Sequence, residues 1–259
     1  GHVLTVDANG EASFEAASGG GFSVDSNGNL IAGNSDTAQS LTSGHSNVIL
    51  GRDNAESLTT GFNNVVMGAY SLNSLETGDY NVVIGEQAGS SYKGNESIFI
   101  GRGAGAHDSG LGDGDYIVCI GKFAGKNLNR TYGTTLVGAA AGENFNSNSQ
   151  TMTAFGNQAA QAATSAAQTT AFGWRAAYLM TTGSKNTCIG DNAGASNLTT
   201  GSNNICIGYQ AYPSATSASN EITLGDSNIA TLRCNVQTIS SLSDGRDKTN
   251  VIDLPQGLD

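Results

Sequence analysis

The side chains of this 259-residue chain with the most latent reactivity are four cysteines, Cys119, Cys188, Cys206 and Cys234, and three carboxylates, Asp108, Asp113 and Asp115. Thiols can pair, attack as thiolates or hold zinc. No Cys-x-x-Cys occurs, and His2, His45 and His107 are scattered, so no zinc site is expected. The three aspartates lie in a Gly-rich stretch, where carboxylates and backbone carbonyls together are the ligands Ca²⁺ takes. Their spacing fits neither an EF-hand nor the Gly-Gly-x-Gly-x-Asp calcium roll. A solvated protruding loop is therefore expected, with Ca²⁺ the alternative. Glycoside hydrolysis needs two facing carboxylates, and no acidic pair recurs on one strand face. No cofactor is implied.

What would position these groups is a repeat. A short apolar run ending in glycine recurs twelve times, at Gly33, Gly51, Gly68, Gly85, Gly101, Gly121, Gly138, Gly156, Gly173, Gly190, Gly208 and Gly225, with spacings between 16 and 20 residues. Three residues after the glycine an alanine follows in eight units: Ala88, Ala104, Ala124, Ala141, Ala159, Ala176, Ala193 and Ala211. Leu-Thr-Thr-Gly segments come later, at Leu58 and Leu198, each followed by Asn-Asn (Asn63 and Asn64, Asn203 and Asn204). Glycine and asparagine supply the positive φ that tight corners need. The expected fold is all-β, a parallel β-solenoid of about twelve 17-residue coils. Stacked at about 4.8 Å per coil, it makes a rod of roughly 58 Å.

Within each run the residue before the glycine is apolar, and the residue two earlier is Leu, Val, Ile or Thr. These two share one face of a strand. The position between them faces the other way, yet it reads Ile31, Ile49, Val66, Val83, Phe99, Cys119, Leu136, Ala154, Ala171, Cys188, Cys206 and Thr223. Strands buried on both faces read as continuous apolar runs. A coil this small has one interior, so the central column is expected to be covered by another chain, and its narrowing to Ala and Cys suggests three chains around an axis. Its cysteines read as small buried hydrophobes, with Cys188 and Cys206 close enough in consecutive coils to bridge.

The composition agrees. There are 36 glycines and only 2 prolines, and 22 acidic against 11 basic residues give a net charge of −11. The basic footprint of a nucleic-acid binder is missing, anionic membranes are unsuited as partners, and no apolar stretch reaches 18 residues. Residues 1–29 carry hairpin signals, with turns at Asn9-Gly10 and Asn27-Gly28, and read as a connector. Residues 30–228 are the solenoid shaft. Residues 229–243 alternate polar and apolar and are expected to wrap their symmetry mates as a trimeric β stem. The position after each strand glycine is an outward, mostly polar column, interrupted by Trp174 and Tyr209, which are candidate platforms for a receptor sugar or contacts to a neighbouring chain.

The repeat resembles the β-roll heads of trimeric autotransporter adhesins and, more closely, the repetitive shafts of phage tail fibres. The stem is followed by Ser243-Asp244-Gly245-Arg246-Asp247-Lys248, which resembles the opening of the intramolecular chaperone domain of phage tail fibres and endosialidases. The resemblance implies that residues 244–259 begin a C-terminal chaperone which trimerises the fibre and then cuts itself free after the serine. Most of that domain would lie beyond Asp259. Carried over, Ser243 is the nucleophile, Lys248 its partner and Ser243-Asp244 the scissile bond. The residue types suit this, since a serine hydroxyl needs a base, and a lysine serves as one only when its pKa is lowered. The implied function is a virion tail-fibre shaft for host attachment, assembled in the host cytoplasm as a homotrimer. Its partners would be other tail proteins and a host cell-surface glycan or protein. The alternative is a bacterial trimeric surface adhesin.

Overall fold

A computed structural model describes residues 2–6, 12–16, 23–106, 114–129, 131–146 and 151–233. Residues 1–226 form one compact unit and residues 227–259 another. Fifteen strands occur among the described residues: β1 (His2–Val6), β2 (Ala12–Ala16), β3 (Ser23–Val24), β4 (Leu30–Ala32), β5 (Val48–Leu50), β6 (Val65–Met67), β7 (Val82–Ile84), β8 (Ile98–Ile100), β9 (Val118–Ile120), β10 (Thr135–Val137), β11 (Met152–Phe155), β12 (Thr169–Phe172), β13 (Thr187–Ile189), β14 (Ile205–Ile207) and β15 (Ile222–Leu224). The first two form an antiparallel hairpin, with His2 opposite Ala16, as the Asn9-Gly10 turn predicts. A second antiparallel pairing, β3 with β4, follows the Asn27-Gly28 turn, where Gly28 takes φ +76°.

From β4 to β15 every pairing is parallel and between consecutive strands. The chain is an all-β solenoid of twelve parallel strands, one at each glycine of the repeat. Register is exact across coils, for example Val48↔Val65 and Val65↔Val82. Bonds between coils continue outside the strands, as in Ala55 N–H to Ser71 O at 2.9 Å and Thr59 N–H to Glu76 O at 2.8 Å. Most residues therefore donate to or accept from a residue about 17 positions away, which is what holds so little regular strand in one fold.

The strand-ending glycines are required twice over. Gly68 has φ +135°, and a Cβ there would stand 2.6 Å from the carbonyl of Gly85 in the next coil. Neither the torsion nor the space admits a side chain. Positive φ extends well beyond glycine, to Tyr70, Gln87, Phe123, Arg175 and the first asparagine of each pair, Asn63 and Asn203. The second asparagine has another role. Asn29, Asn47, Asn64 and Asn81 are buried and stacked one per coil. Asn47 Oδ1 accepts from the Asn64 backbone N–H at 2.9 Å and from its Nδ2 at 3.1 Å, while Asn64 Nδ2 also donates to Gly78 O at 2.9 Å. A buried amide with every hydrogen-bonding group used stabilises the corner, whereas an unpaired one would cost it. The ladder resumes at Asn186 and Asn204. Between them Ser97, Ile117, Thr134, Met152 and Thr169 hold the same position, and Tyr92 Oη takes up the break with bonds to Ser97 Oγ and Gly114 O, each at 2.7 Å.

The core corrects the assignment of faces. The central strand column, expected to meet another chain, fills the interior of its own coil: Ile49, Val66, Val83, Phe99, Cys119, Leu136, Ala154, Ala171, Cys188 and Cys206 are all buried in the single chain. The flanking pair points outward. The reason is that a three-residue strand sends one side chain to one face and two to the other, and the interior needs only the one. The rest of its volume comes from the alanine column and from Leu58, Leu75, Tyr92, Leu128, Phe145, Met180 and Leu198 on the far wall. Of the predicted stem, the described residues 229–233 carry no strand, and no strand among the described residues pairs with them. Its remainder, Cys234 included, lies outside the described residues.

Candidate functional site

Because the flanking residues of each strand face outward in exact register, they make two parallel ladders along the solenoid, one apolar throughout from Leu50 to Leu224 and one that turns to threonine at Thr135, Thr153, Thr170 and Thr187. In the early coils these are Val48 and Leu50, Val65 and Met67, Val82 and Ile84, all half-buried. In the later coils they are exposed: Phe155 by 46%, Phe172 by 52%, Ile207 by 40% and Leu224 by 49%. Phe155 and Phe172 stack with centroids 5.0 Å apart and planes 9° from parallel. A contiguous apolar surface of this kind is rare on a monomer and marks a place where something else packs. Tyr80, Val82, Glu96 and Ile98 line an open groove of about 430 Å³ along the ladder. The sequence pattern named these side chains but placed them inside.

Trp174 and Tyr209 stand in the outward column after the strand glycine, 44% and 57% exposed. Asp191 occupies the coil between them. The Arg175 guanidinium carbon lies 4.6 Å from the Trp174 ring centroid and 4.9 Å from that of Tyr178, and Arg175 Nε donates to Gln158 Oε1 at 2.8 Å. Cation–π contact on this side leaves Trp174 held in place rather than free to rotate.

The cysteine column is chemically quiet. Cys119, Cys188 and Cys206 are free thiols in the interior. Cys188 and Cys206 are direct register partners. Cys188 is held well above the ordinary thiol range by its hydrogen bond with Cys206 and by burial, and burial alone pushes Cys119 up. A thiol kept protonated and out of solvent is a poor nucleophile and a poor metal ligand. Asp115 serves the corner: its Oδ1 accepts from Asn95 N at 2.8 Å and from Asn95 Nδ2 at 3.2 Å. Asp108 and Asp113 lie outside the described residues, and among those described no group of three His, Cys, Asp or Glu side chains could hold a metal ion. Ser243, Lys248 and the Ser243-Asp244 bond also lie outside them. No helix among the described residues is long and apolar enough to cross a membrane.

Comparison of the chain with family models, with curated proteins and with solved structures finds no match to any of them.

Proposed function

We propose that this chain is a shaft segment of a homotrimeric attachment fibre of the phage-tail type, in which the outward apolar ladders of three copies pack together and the corners carry contacts to a host surface. The observation that carries the reading is the ladder itself. Its column from Leu50 in β5 to Leu224 in β15 is apolar in every coil, and these side chains remain accessible in one chain. A second copy has the same spacing and the same chemistry, so symmetric packing would bury every rung at once. Three weak surface sites on one trimer would then bind with the avidity of a linked set.

The C-terminal signature supports maturation of the fibre by self-cleavage. In this proposal Lys248, neutral in the environment of the complete chaperone, takes the Ser243 proton as the serine oxygen bonds to the scissile carbonyl carbon, returns that proton to the departing Asp244 amine, and water then hydrolyses the ester to a carboxylate and restores the serine hydroxyl. The test is the intact mass of the longest natural form of the chain, beside its Ser243→Ala variant, both under denaturing conditions. Loss of the segment after Ser243 in the parent alone is the expected result. If both remain whole while sedimenting as trimers, Ser243 and Lys248 have no such role and the bacterial adhesin gains.

A further inference from the structure

The corner after the strand glycines holds a feature that neither the ladder nor the aromatic column uses. Across four consecutive coils, Tyr70, Asn73, Gln87, Arg102, Phe123 and Lys126 line a cleft of about 340 Å³. Its floor is Gly103, where a side chain would strike the Phe123 ring, since a Cβ would fall 2.7 Å from Phe123 Cδ1. The ring therefore lies over the glycine and gathers cations: Lys122 Nζ at 5.0 Å, Lys126 Nζ at 5.3 Å and Arg102 Cζ at 5.4 Å from its centroid. The other wall, Tyr70, is held by Arg52, whose Nη2 donates to its hydroxyl and whose Cζ is 4.8 Å from its ring.

Among the described residues three cations here, Arg102, Lys122 and Lys126, face Glu86, 3.7 Å from Arg102 Nε, while Glu56 lies at the far edge, where its Oε1 accepts from Asn73 Nδ2 at 3.5 Å. By register the next acid along is Glu143, whose Oε2 already accepts from Gln161 Nε2 at 2.6 Å. The corner is thus locally positive in a chain of net charge −11. That combination selects a ligand. A polyanion would be repelled by the rest of the surface, while a single carboxylate is attracted by this spot. Backbone recognition is closed, because the N–H groups of Tyr70, Gln87, Gly103 and Phe123 already donate to the preceding coil, so an added peptide strand would find no donors. Recognition must come from side chains. The neutral ones, Asn73, Gln87 and Ser90, suit hydroxyl groups, and Asn73 Oδ1 is buried with no partner among the described residues.

We propose that this cleft binds a saccharide bearing a carboxylate, a uronic acid unit of a surface polysaccharide, with Arg102 and Lys126 on the carboxylate and the amides on the ring hydroxyls. The inference rests on the attachment reading and gives it a place in the fold other than Trp174 and Tyr209. The probes are short oligosaccharides carrying a single galacturonic, glucuronic or mannuronic acid residue among neutral sugars, and their methyl esters, titrated into the intact chain at low and at high salt. At least one acid oligomer binds, its ester binds at least about tenfold more weakly, and affinity falls as salt rises. Arg102→Gln and Lys126→Gln each weaken it by about tenfold, with melting temperature unchanged, while Trp174→Ala leaves it alone. Equal binding of acid and ester, no binding of any acid, or affinity unmoved in both variants overturns the site, as does an oligonucleotide that binds as tightly. Attachment to host cells is scored in parallel. Attachment that survives in a chain blind to uronates removes this site and spares the attachment reading; uronate binding with no attachment does the reverse.

Discussion

The coils before and after Gly138 fill the same interior by different means. Early coils place large residues at the strand centre, Ile49, Val66, Val83 and Phe99, and later ones place Ala154, Ala171, Cys188 and Cys206 there. In the coil of Phe99 and in the alanine coils the volume is returned four residues after the strand glycine. Gly105 makes room for Phe99, whose Cδ1 lies where a Cβ would be 2.3 Å away, whereas Ala160 and Ala177 occupy the equivalent position in the alanine coils. What is held constant is the filling of a coil, not the identity of a column, as close packing requires. The outside is under no such rule, and there the halves diverge most: cations around Phe123 in the early coils, exposed Phe155 and Phe172 with Trp174 and Tyr209 in the later ones.

The largest test of this contrast is the core itself. Phe99→Ala removes the biggest buried side chain of the early coils and should cost about 3 to 5 kcal/mol, read as loss of hydrogen-exchange protection in β7 to β9. The reverse change, Ala171→Phe, overpacks a coil whose Ala177 leaves no Gly-sized gap and should be comparably damaging in β11 to β13. Tolerance of Ala171→Phe would show that coils adjust their volume without a compensating glycine.

Next in size is the amide ladder against its gap. Asn64→Ala strands the Gly78 carbonyl and the Asn81 backbone N–H inside the corner and should cost about 3 kcal/mol. Thr134 holds the same position in the gap, and its buried hydroxyl has no partner among the described residues, so Thr134→Val should be neutral or stabilising in thermal melts. Equal losses for the two would dissolve the distinction between ladder and gap.

Smaller still is the effect of the outer face on a single chain. Replacing Phe155 and Phe172 together by Ser should leave the monomer's melting within about 0.5 kcal/mol, since both are exposed, yet lower the association constant measured by sedimentation. An unmoved association constant means the later rungs of the ladder are not an interface.

The smallest effect concerns the ends. Asp25 is held below its usual range by the Asn29 side chain and by backbone N–H groups, and Glu221 by the Ser214 side chain and backbone. A carboxylate with a depressed folded pKa adds stability that is present above its unfolded value and lost as pH falls through the folded one. Exchange protection at β4 and β15 should therefore decline as pH falls below the carboxylate range of about 3.8 to 4.5, while central coils stay protected. Both carboxylates are solvent-exposed, so the loss is modest. Simultaneous fraying of β9 would show that the ends do not yield first.

Much of this was legible in the residues. The period, the twelve strands, the alanine column and the N-terminal hairpin follow from glycine spacing and turn chemistry, because local backbone needs are written locally. Which strand face looks inward was not, since Val-Val-Met and Val-Val-Ile are apolar on both. Nor did Asn-Asn announce that one member bends the chain and the other is buried. The cleft at Phe123 was hidden for a different reason: Tyr70, Gln87, Arg102 and Lys126 are brought together only by stacking coils whose lengths differ, and no window of sequence contains them. Ser243 and Lys248 were legible as a signature alone.

The asparagine ladder also gives the solenoid an arrow. Each Oδ1 accepts from the coil that follows, Asn29 from Asn47, Asn47 from Asn64 and Asn64 from Asn81, never the reverse. A coil leaving the ribosome thus meets acceptors already set by the coil before it, and each finished turn is the mould for the next. The ladder breaks at Ser97, where Tyr92, earlier in the chain, lends its hydroxyl as the substitute.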